Sequence, residues 1–447
     1  MKEIEIWQWS LIVLSSLLFF WWSPLAKTRE QFYQASKNEK QRPTLWMLTG
    51  SLVISWIFAK SITNAANLGL SFGIVGGVAY AGYYLSFAIA GVIIYQLRTK
   101  GGFKSIHHFL GSRFGQGSVL LFSVLIGFRL FNEVWSNTMV IGSYFGTVGS
   151  SSYYLAIIVF TVLTLAYALK GGLSSSIFTD VIQMGLFSIL LCIILWNIFE
   201  VKDFSIKDVA LSGEWTMALG GNLLLAAIIQ SFSYPFHDPV LTDRGFISAP
   251  KTTLKSFLWA TVLGGLCIIL FSVVGVFAKQ QGIEGQAAVA VSKTFGVFIL
   301  LIVNFIMITS AASTLDSTFS SSAKLIAIDL KLGKEVSFGR WMMVIVAIIG
   351  TIPVFLNAEI LSATTISGTM VIGLTPIFLC WKKEVPKISF FLSVGSGLVF
   401  GVLLVFDIFP QQFIFTTGKY ADLLWVNIWG LIVCFILYFI PTWIKKR

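Results

Sequence analysis

The stretch Ser231-Phe-Ser-Tyr-Pro-Phe-His-Asp-Pro239 decides the predicted fold, because it puts two prolines inside a run apolar enough to cross a membrane. Proline removes a backbone N–H and disrupts the helix. Within a bilayer, the carbonyls this frees need a partner from protein, water or ligand. A second polar, small-residue break occupies Ser55-Trp-Ile-Phe-Ala-Lys-Ser-Ile-Thr-Asn-Ala-Ala-Asn-Leu-Gly69. The two breaks predict two helices that unwind at membrane depth.

The composition predicts an all-α integral membrane protein. Hydrophobic residues make up 56% of the chain and charged residues only 11%, far from the roughly 25% charged residues of soluble domains. A helical span needs about 20 apolar residues. We predict thirteen spans in one transmembrane domain over 1–447, at 7–25, 44–70, 72–96, 117–146, 151–170, 174–199, 218–243, 253–279, 295–330, 340–356, 359–381, 388–408 and 421–443.

The two broken spans are five spans apart, so their helices run in opposite directions. Interrupted helices at matching places in two halves are typical of an inverted-repeat transporter with its site near the midplane. We therefore predict two five-helix repeats, 44–199 and 218–381, with a leading helix at 7–25 and two terminal helices within 388–443.

The basic residues predict the orientation. With the N-terminus outside, 23 of the 31 Lys and Arg residues fall on the cytoplasmic side and six on the other, as the positive-inside rule requires. We expect a multi-pass protein of the plasma (inner) membrane with a cytoplasmic C-terminus. We attribute the formal net charge of +11 to orientation in the lipid bilayer and not to nucleic-acid binding. No nucleophile–base constellation or metal-ligand spacing suggests an enzyme.

The run Ser310-Ala-Ala-Ser-Thr-Leu-Asp-Ser-Thr-Phe-Ser-Ser-Ser322 is rich in hydroxyls and follows a lipid-like segment. Hydroxyls in spanning helices commonly pack helices together, and they also ligate hard cations. Because an ionisable residue inside the membrane is costly, Asp316 is a functional candidate, although an ion pair with Lys60 or Arg129 is an equal alternative.

Several motifs resemble the sodium/solute symporter family, which includes proline permease, sodium/galactose and urea transporters. Gly171-Gly-Leu-Ser-Ser-Ser-Ile-Phe-Thr-Asp-Val-Ile-Gln183 resembles its GG…TD-x-x-Q signature, and Ala312-Ser-Thr-Leu-Asp-Ser317 its sodium helix. Asp238-Pro-Val-Leu-Thr-Asp-Arg244 resembles the region that ends in its arginine. The resemblance implies a LeuT-type fold and secondary active transport.

The resemblance also implies cation sites. A sodium site would use the carbonyls of Ile54, Ile57 and Ser310 with the hydroxyls of Ser313 and Thr314. A second cation or coupling site would use Asp180, Asp316 and Ser317, together with Ser313. Asp316 is a carboxylate where those relatives have a hydroxyl, which strengthens cation binding or makes the site a proton carrier. Asp180 has a simpler interpretation as a helix cap. Apart from Na⁺, or H⁺ in its place, no cofactor is expected.

The solute site is predicted from the broken helices. Lys60 and Asp238 match family positions that line the substrate pocket, and opposite charges suit an amino acid or similar zwitterion; alternatively, the two neutralise each other. Further solute candidates are Ser61, Tyr84, His237 and Thr364. Arg129 and Glu133 are four residues apart on one helix face, which predicts a structural ion pair.

The predicted function is sodium-coupled symport of a small polar organic solute by alternating access. Two alternatives remain. The first is proton-coupled or uncoupled transport, with the Lys60 ammonium in place of the cation. The second is a symporter-like membrane module that senses a solute.

Overall fold

The structure, a computed structural model, describes residues 2–35, 42–355 and 368–445. Every regular element in these ranges is a helix, so the all-α prediction is confirmed. The first seven main helices are α1 Lys2–Trp22, α2 Leu45–Trp56, α3 Ala59–Phe72, α4 Ile74–Thr99, α5 Gln116–Phe145, α6 Ser151–Gly171 and α7 Leu173–Phe199.

The second half of the chain begins with short helices around the proline-rich break and continues with long ones. The eight helices are α8 Asn222–Gln230, α9 Pro239–Arg244, α10 Pro250–Gln280, α11 Val297–Lys324, α12 Val336–Phe355, α13 Leu374–Leu379, α14 Ile388–Val405 and α15 Ala421–Lys445.

Within the described ranges, ten helices are long and apolar enough to cross a membrane, and the bent pair α2 and α3 makes an eleventh span. These eleven match predicted spans. The remaining two of the thirteen predicted spans are the seventh and the eleventh. The seventh is represented by the shorter apolar stretch Met217–Gln230. The eleventh falls partly on 356–367, outside the described residues.

The chain divides into two compact units. The first, here called unit one, comprises Met1–Gly77, Leu130–Ser212 and Leu266–Ile360. The second, unit two, comprises Val78–Arg129, Gly213–Gly265 and Leu361–Arg447. Each unit draws on both predicted repeats, whose boundaries stay predictions.

Inside unit one, α3 and the end of α10 approach closely because two glycines lie at the contact. A Cβ at Gly275 would collide with the Ala66 carbonyl oxygen, and one at Gly69 would collide with the Ser272 carbonyl oxygen. Only hydrogen fits there, so this pair of glycines sets the packing distance of the two helices.

Helix α11 explains how a hydroxyl-rich run persists in a membrane protein. All its residues from Ile306 to Ala323 are buried within the protein. The hydroxyls therefore meet protein groups rather than hydrocarbon, where each unsatisfied polar group costs several kcal/mol.

Candidate functional site

The first predicted break lies between α2 and α3, which are bent by 66°. Ile57 leaves the helical region with φ −83° and ψ 66°, and Phe58 is extended with φ −59° and ψ 153°. The last helical bond of α2 runs from the Ile57 N–H to the Val53 carbonyl. Because the last four carbonyls of a helix have no intrahelical partner, the end of α2 is a place where backbone oxygens become available to a cation.

Asp180 lies at the centre of an oxygen cluster in unit one and is fully buried. The Ser313 hydroxyl of α11 lies 2.5 Å from its Oδ1. On its other oxygen, Ser51 of α2 donates to Oδ2 at 2.6 Å and Ser55 at 3.3 Å. The carboxylate of α7 thus joins the broken helix pair to α11.

A capping role for Asp180 is wrong. Helix α7 begins at Leu173 with Gly172 as its N-cap, so Asp180 lies two turns inside the helix. Gly172 has φ 55°, and a Cβ there would meet the Phe32 carbonyl oxygen. Glycine therefore makes the turn that starts α7 and aims Asp180 into the bundle.

Asp316 extends the same cluster. The Thr179 hydroxyl donates to Asp316 Oδ2 at 2.9 Å, and the Ser317 hydroxyl lies 3.3 Å from Oδ1. The Ser317 hydroxyl also contacts the hydroxyls of Ser176 at 2.9 Å and Ser55 at 3.4 Å. Two buried carboxylates therefore share one hydroxyl network, which we call the oxygen cluster: Ser51, Ser55, Ser176, Thr179, Asp180, Ser313, Asp316 and Ser317.

Most other hydroxyls of α11 bond within the helix. Thr314 donates to the Ser310 carbonyl at 2.9 Å, and Thr318 donates to the Thr314 carbonyl at 2.7 Å. Ser320 and Ser322 bond back by four residues in the same way. Two members of the predicted sodium site, Ser310 and Thr314, are thus hydrogen-bonded to each other, whereas Ser313 and Ser317 reach across to neighbouring helices.

Sequence reasoning predicted four members of the oxygen cluster, Asp180, Ser313, Asp316 and Ser317, and missed the other four, Ser51, Ser55, Ser176 and Thr179. A signal was available in the spacing. Ser51 and Ser55 are one turn apart on α2. On α7, Thr179 and Asp180 follow Ser176 by three and four residues, so each lies on the same side of the helix as Ser176.

Lys60 forms an ion pair in unit one. Its Nζ lies 3.2 Å from Glu133 Oε1 and 3.4 Å from the Ser136 hydroxyl, and it sits 5.2 Å from the centroid of the Phe58 ring. The side chains of Lys60 and Glu133 are 16% and 5% exposed. The sequence proposes Asp316 or Asp238 for Lys60, and the carboxylate that the structure places at 3.2 Å is Glu133.

Arg129 pairs with Asp238 in unit two. Its Nη2 donates to Asp238 Oδ2 at 2.7 Å, and its Nη1 donates to the Tyr234 hydroxyl at 2.7 Å, with the guanidinium 4.8 Å from the Tyr234 ring centroid. The sequence prediction named Arg129 and Glu133 as each other's partners. The structure gives each of them a partner from a broken segment, which spacing along one helix does not reveal.

The second break shows why Asp238 is held in place. Residues Tyr234–His237 form a short 3₁₀ turn, and Asp238 is then extended and caps α9, accepting from the Leu241 N–H at 3.2 Å. Pro239 occupies the first position of α9, where its missing N–H costs nothing. One oxygen of Asp238 thus caps the helix while the other receives Arg129.

Of the other predicted solute residues, Ser61 belongs to unit one, and Tyr84 and His237 belong to unit two. His237 is buried, with Nδ1 2.6 Å from the Tyr234 carbonyl. Tyr84 is buried against Gly264, and Ser61 lies in the first turn of α3, where its N–H donates to the Phe58 carbonyl. Thr364 lies outside the described residues.

This architecture is a LeuT-type fold. Two solved structures support the fold. The substrate-bound outward-open state of a Na⁺-coupled sialic acid symporter matches with a TM-score of 0.72 at 14% identity, covering 97% of each chain. Mhp1, a nucleobase-cation-symport-1 family transporter in a closed conformation with bromovinylhydantoin, matches with 0.60 at 14% identity, covering 93% of this chain and 95% of that chain.

The sequence comparisons find a family that part of this chain resembles. Residues 40–230 match the family model described as Sodium:solute symporter family, so the resemblance predicted from the motifs is confirmed. Urea active transporter of Saccharomyces cerevisiae (strain ATCC 204508 / S288c) is 20% identical over 299 residues, which cover 61% of this chain. The match spans only 39% of that relative's length.

Proposed function

We propose that this protein is a sodium-coupled symporter of a small polar organic solute, with an amino acid or similar zwitterion as the favoured class. The observation that carries this proposal is the bridge at Asp180, where hydroxyls of α2 and α11 meet one buried carboxylate. Hydroxyl and carboxylate oxygens are the ligands of hard cations. When Na⁺ binds, the hydroxyls would rotate their protons away and present lone pairs to the ion.

Coupling follows from the position of this bridge. A cation bound at the oxygen cluster would hold the end of α2 against α7 and α11, and α2 ends at the break that leads to Lys60. Fixing the break would favour the conformation that binds solute. Because both ligands would act on one conformational equilibrium, each raises the affinity for the other by the same factor.

The solute class rests on the ion pair at the first break. Lys60 and Glu133, both in unit one, provide both signs of charge. A zwitterion presents an ammonium and a carboxylate, each of which matches one member of such a pair. The relatives named for sialic acid and for urea support a small polar organic molecule. We propose alternating access in the plasma membrane, with the N-terminus outside and the C-terminus in the cytoplasm.

Proton coupling is the second candidate, and Asp316 is the observation that favours it. A second carboxylate lies in the same hydroxyl network as Asp180, and carboxylates in pumps and transporters carry protons.

Uptake by proteoliposomes with imposed gradients decides between the two. Amino acids, urea and small carboxylates are supplied outside, with either a sodium gradient at equal pH or a proton gradient without sodium. The proposal predicts accumulation in the first condition only. Accumulation driven by the proton gradient alone, and indifferent to sodium, would overturn sodium coupling.

A further inference from the structure

A cavity of about 510 Å³ lies in unit one beside the starts of α2 and α7, separate from the oxygen cluster residues. Its walls come from the segment after α1, the first turns of α2 and the first turns of α7. The lining includes Leu25, Arg42, Thr44, Met47, Ile177 and Phe178. The volume falls in the range of roughly 300–1,000 Å³ typical of small-molecule pockets.

The polar side of the cavity favours an anion. Arg42 lines it and is exposed. Thr44, which also lines it, is the N-cap of the 12-residue helix α2, and Ser174 lies in the first turn of the 27-residue helix α7. Helix N-termini carry partial positive charge and bind phosphate groups. Arg42 and residues of two helix N-termini therefore line the same cavity, and we call their part of its wall the rim.

The remaining walls are apolar, with Leu25, Met47, Ile177 and Phe178 as the main side chains. These walls disfavour a free inorganic anion, because the anion would lose its hydration against apolar side chains. An amphiphile satisfies both sides, with its charged group at Arg42 and its hydrocarbon chain along the apolar walls.

Neighbouring aromatic residues indicate the depth of the cavity in the membrane. Trp22, the last residue of α1, is 52% exposed, and Trp46, in the first turn of α2, is 60% exposed. Exposed tryptophans at helix ends lie at the level of the lipid headgroups. The same connection carries the exposed residues Lys27 and Arg29. Basic residues beside spanning helices attract anionic lipids by about 1 kcal/mol each.

We propose that this cavity binds one anionic phospholipid, with its phosphate at Arg42 and the N-termini of α2 and α7, and one acyl chain against Met47, Ile177 and Phe178. The site is independent of the proposed transport reaction. Its occupant would hold α1, α2 and α7 together at one membrane surface.

The test measures thermal unfolding of the full-length protein in detergent while phosphatidylglycerol or phosphatidylcholine is titrated in. We expect saturable stabilisation by phosphatidylglycerol at concentrations at least tenfold lower than by phosphatidylcholine. Arg42→Gln removes this preference, and Arg42→Lys retains part of it. Met47→Trp and Ile177→Phe, which fill the cavity, weaken phosphatidylglycerol binding at least tenfold. Lys251→Gln, which removes an exposed charge at the start of α10, keeps the wild-type response.

Three results would overturn the proposal. The first is equal stabilisation by the two lipids. The second is an unchanged phosphatidylglycerol response in Arg42→Gln and in both filling variants. The third is equal stabilisation by glycerol phosphate without acyl chains, which would assign the rim to a free phosphate instead. Stabilisation by lipid is measured only on protein that is already purified and monodisperse. If one of the filling variants, Met47→Trp or Ile177→Phe, fails to fold, the other one is used.

Discussion

The Ser313 hydroxyl of α11 and the Asp180 carboxylate of α7 are hydrogen-bonded at 2.5 Å although 133 residues separate them in the chain. This contact connects two helices that the sequence singled out for different sites. Ser313 was predicted for a first cation site and shared with Asp180 in a second. Because Ser313 belongs to both predicted sites and contacts Asp180 directly, a cation bound by Ser313 would change the hydrogen bonds of Asp180.

Ser313→Ala tests this cluster. The substitution removes one proposed cation ligand and the hydrogen bond between the Ser313 hydroxyl and Asp180 Oδ1, a loss of about 1–3 kcal/mol. The sodium concentration for half-maximal uptake should rise about tenfold or more. Thr318→Ala is the matched control, because the Thr318 hydroxyl bonds within α11. Equal shifts in the two variants would contradict a role for Ser313 in cation binding.

Lys60→Gln tests the ion pair with Glu133. Removing one member of a buried pair strands the other charge, at a cost of about 3–5 kcal/mol in fully buried cases. Since the Lys60 side chain is 16% exposed, we expect a smaller loss of about 2 kcal/mol. The double variant Lys60→Gln with Glu133→Gln should recover part of it. Chemical denaturation in detergent measures the loss of stability in each variant. If the loss in the double variant equals or exceeds the sum of the two single losses, the pairing is refuted.

Asp238 should respond differently to two substitutions because its two oxygens have separate roles. Asp238→Asn keeps a side chain that caps helices well but loses the charge that neutralises Arg129. Asp238→Ala loses both functions and should be about 1 kcal/mol less stable than Asp238→Asn. Unfolding curves of the two variants give this difference. Equal stability would mean that the bond to the Leu241 N–H contributes nothing.

Gly275→Ala should prevent proper packing of α3 against the end of α10, because the new methyl group collides with the backbone at Ala66. Overpacking typically costs about 1–3 kcal/mol, and a backbone obstacle cannot rotate away. Gly265→Ala, ten residues earlier on α10, is the matched control, since nothing lies within 4 Å of its Cβ position. The measurement is the yield of monodisperse protein for Gly275→Ala and for Gly265→Ala. Similar yields would contradict the close approach.

Much of the architecture was predictable because hydrophobic length and proline chemistry act locally. The runs of about 20 apolar residues predicted the long helices, and the polar stretch after Ser55 predicted the bend at Ile57 and Phe58. The seventh span was harder to assign, since its break leaves only the short helices α8 and α9 on either side. The family motifs added the register of Asp180, Ser313, Asp316 and Ser317.

The sequence by itself determined the membrane class, the helix breaks and which residues carry unusual polarity, because each depends on neighbours along the chain. The tertiary structure alone decided the partners. Lys60 meets Glu133 across 73 residues, and Arg129 meets Asp238 across 109. Spacing within one helix favoured Arg129 with Glu133, but charges in a low-dielectric interior pair with whichever opposite charge packing brings within hydrogen-bond distance. The packing of helices, which no local pattern encodes, also separated the hydroxyls that bond within α11 from Ser313 and Ser317, which face the carboxylates.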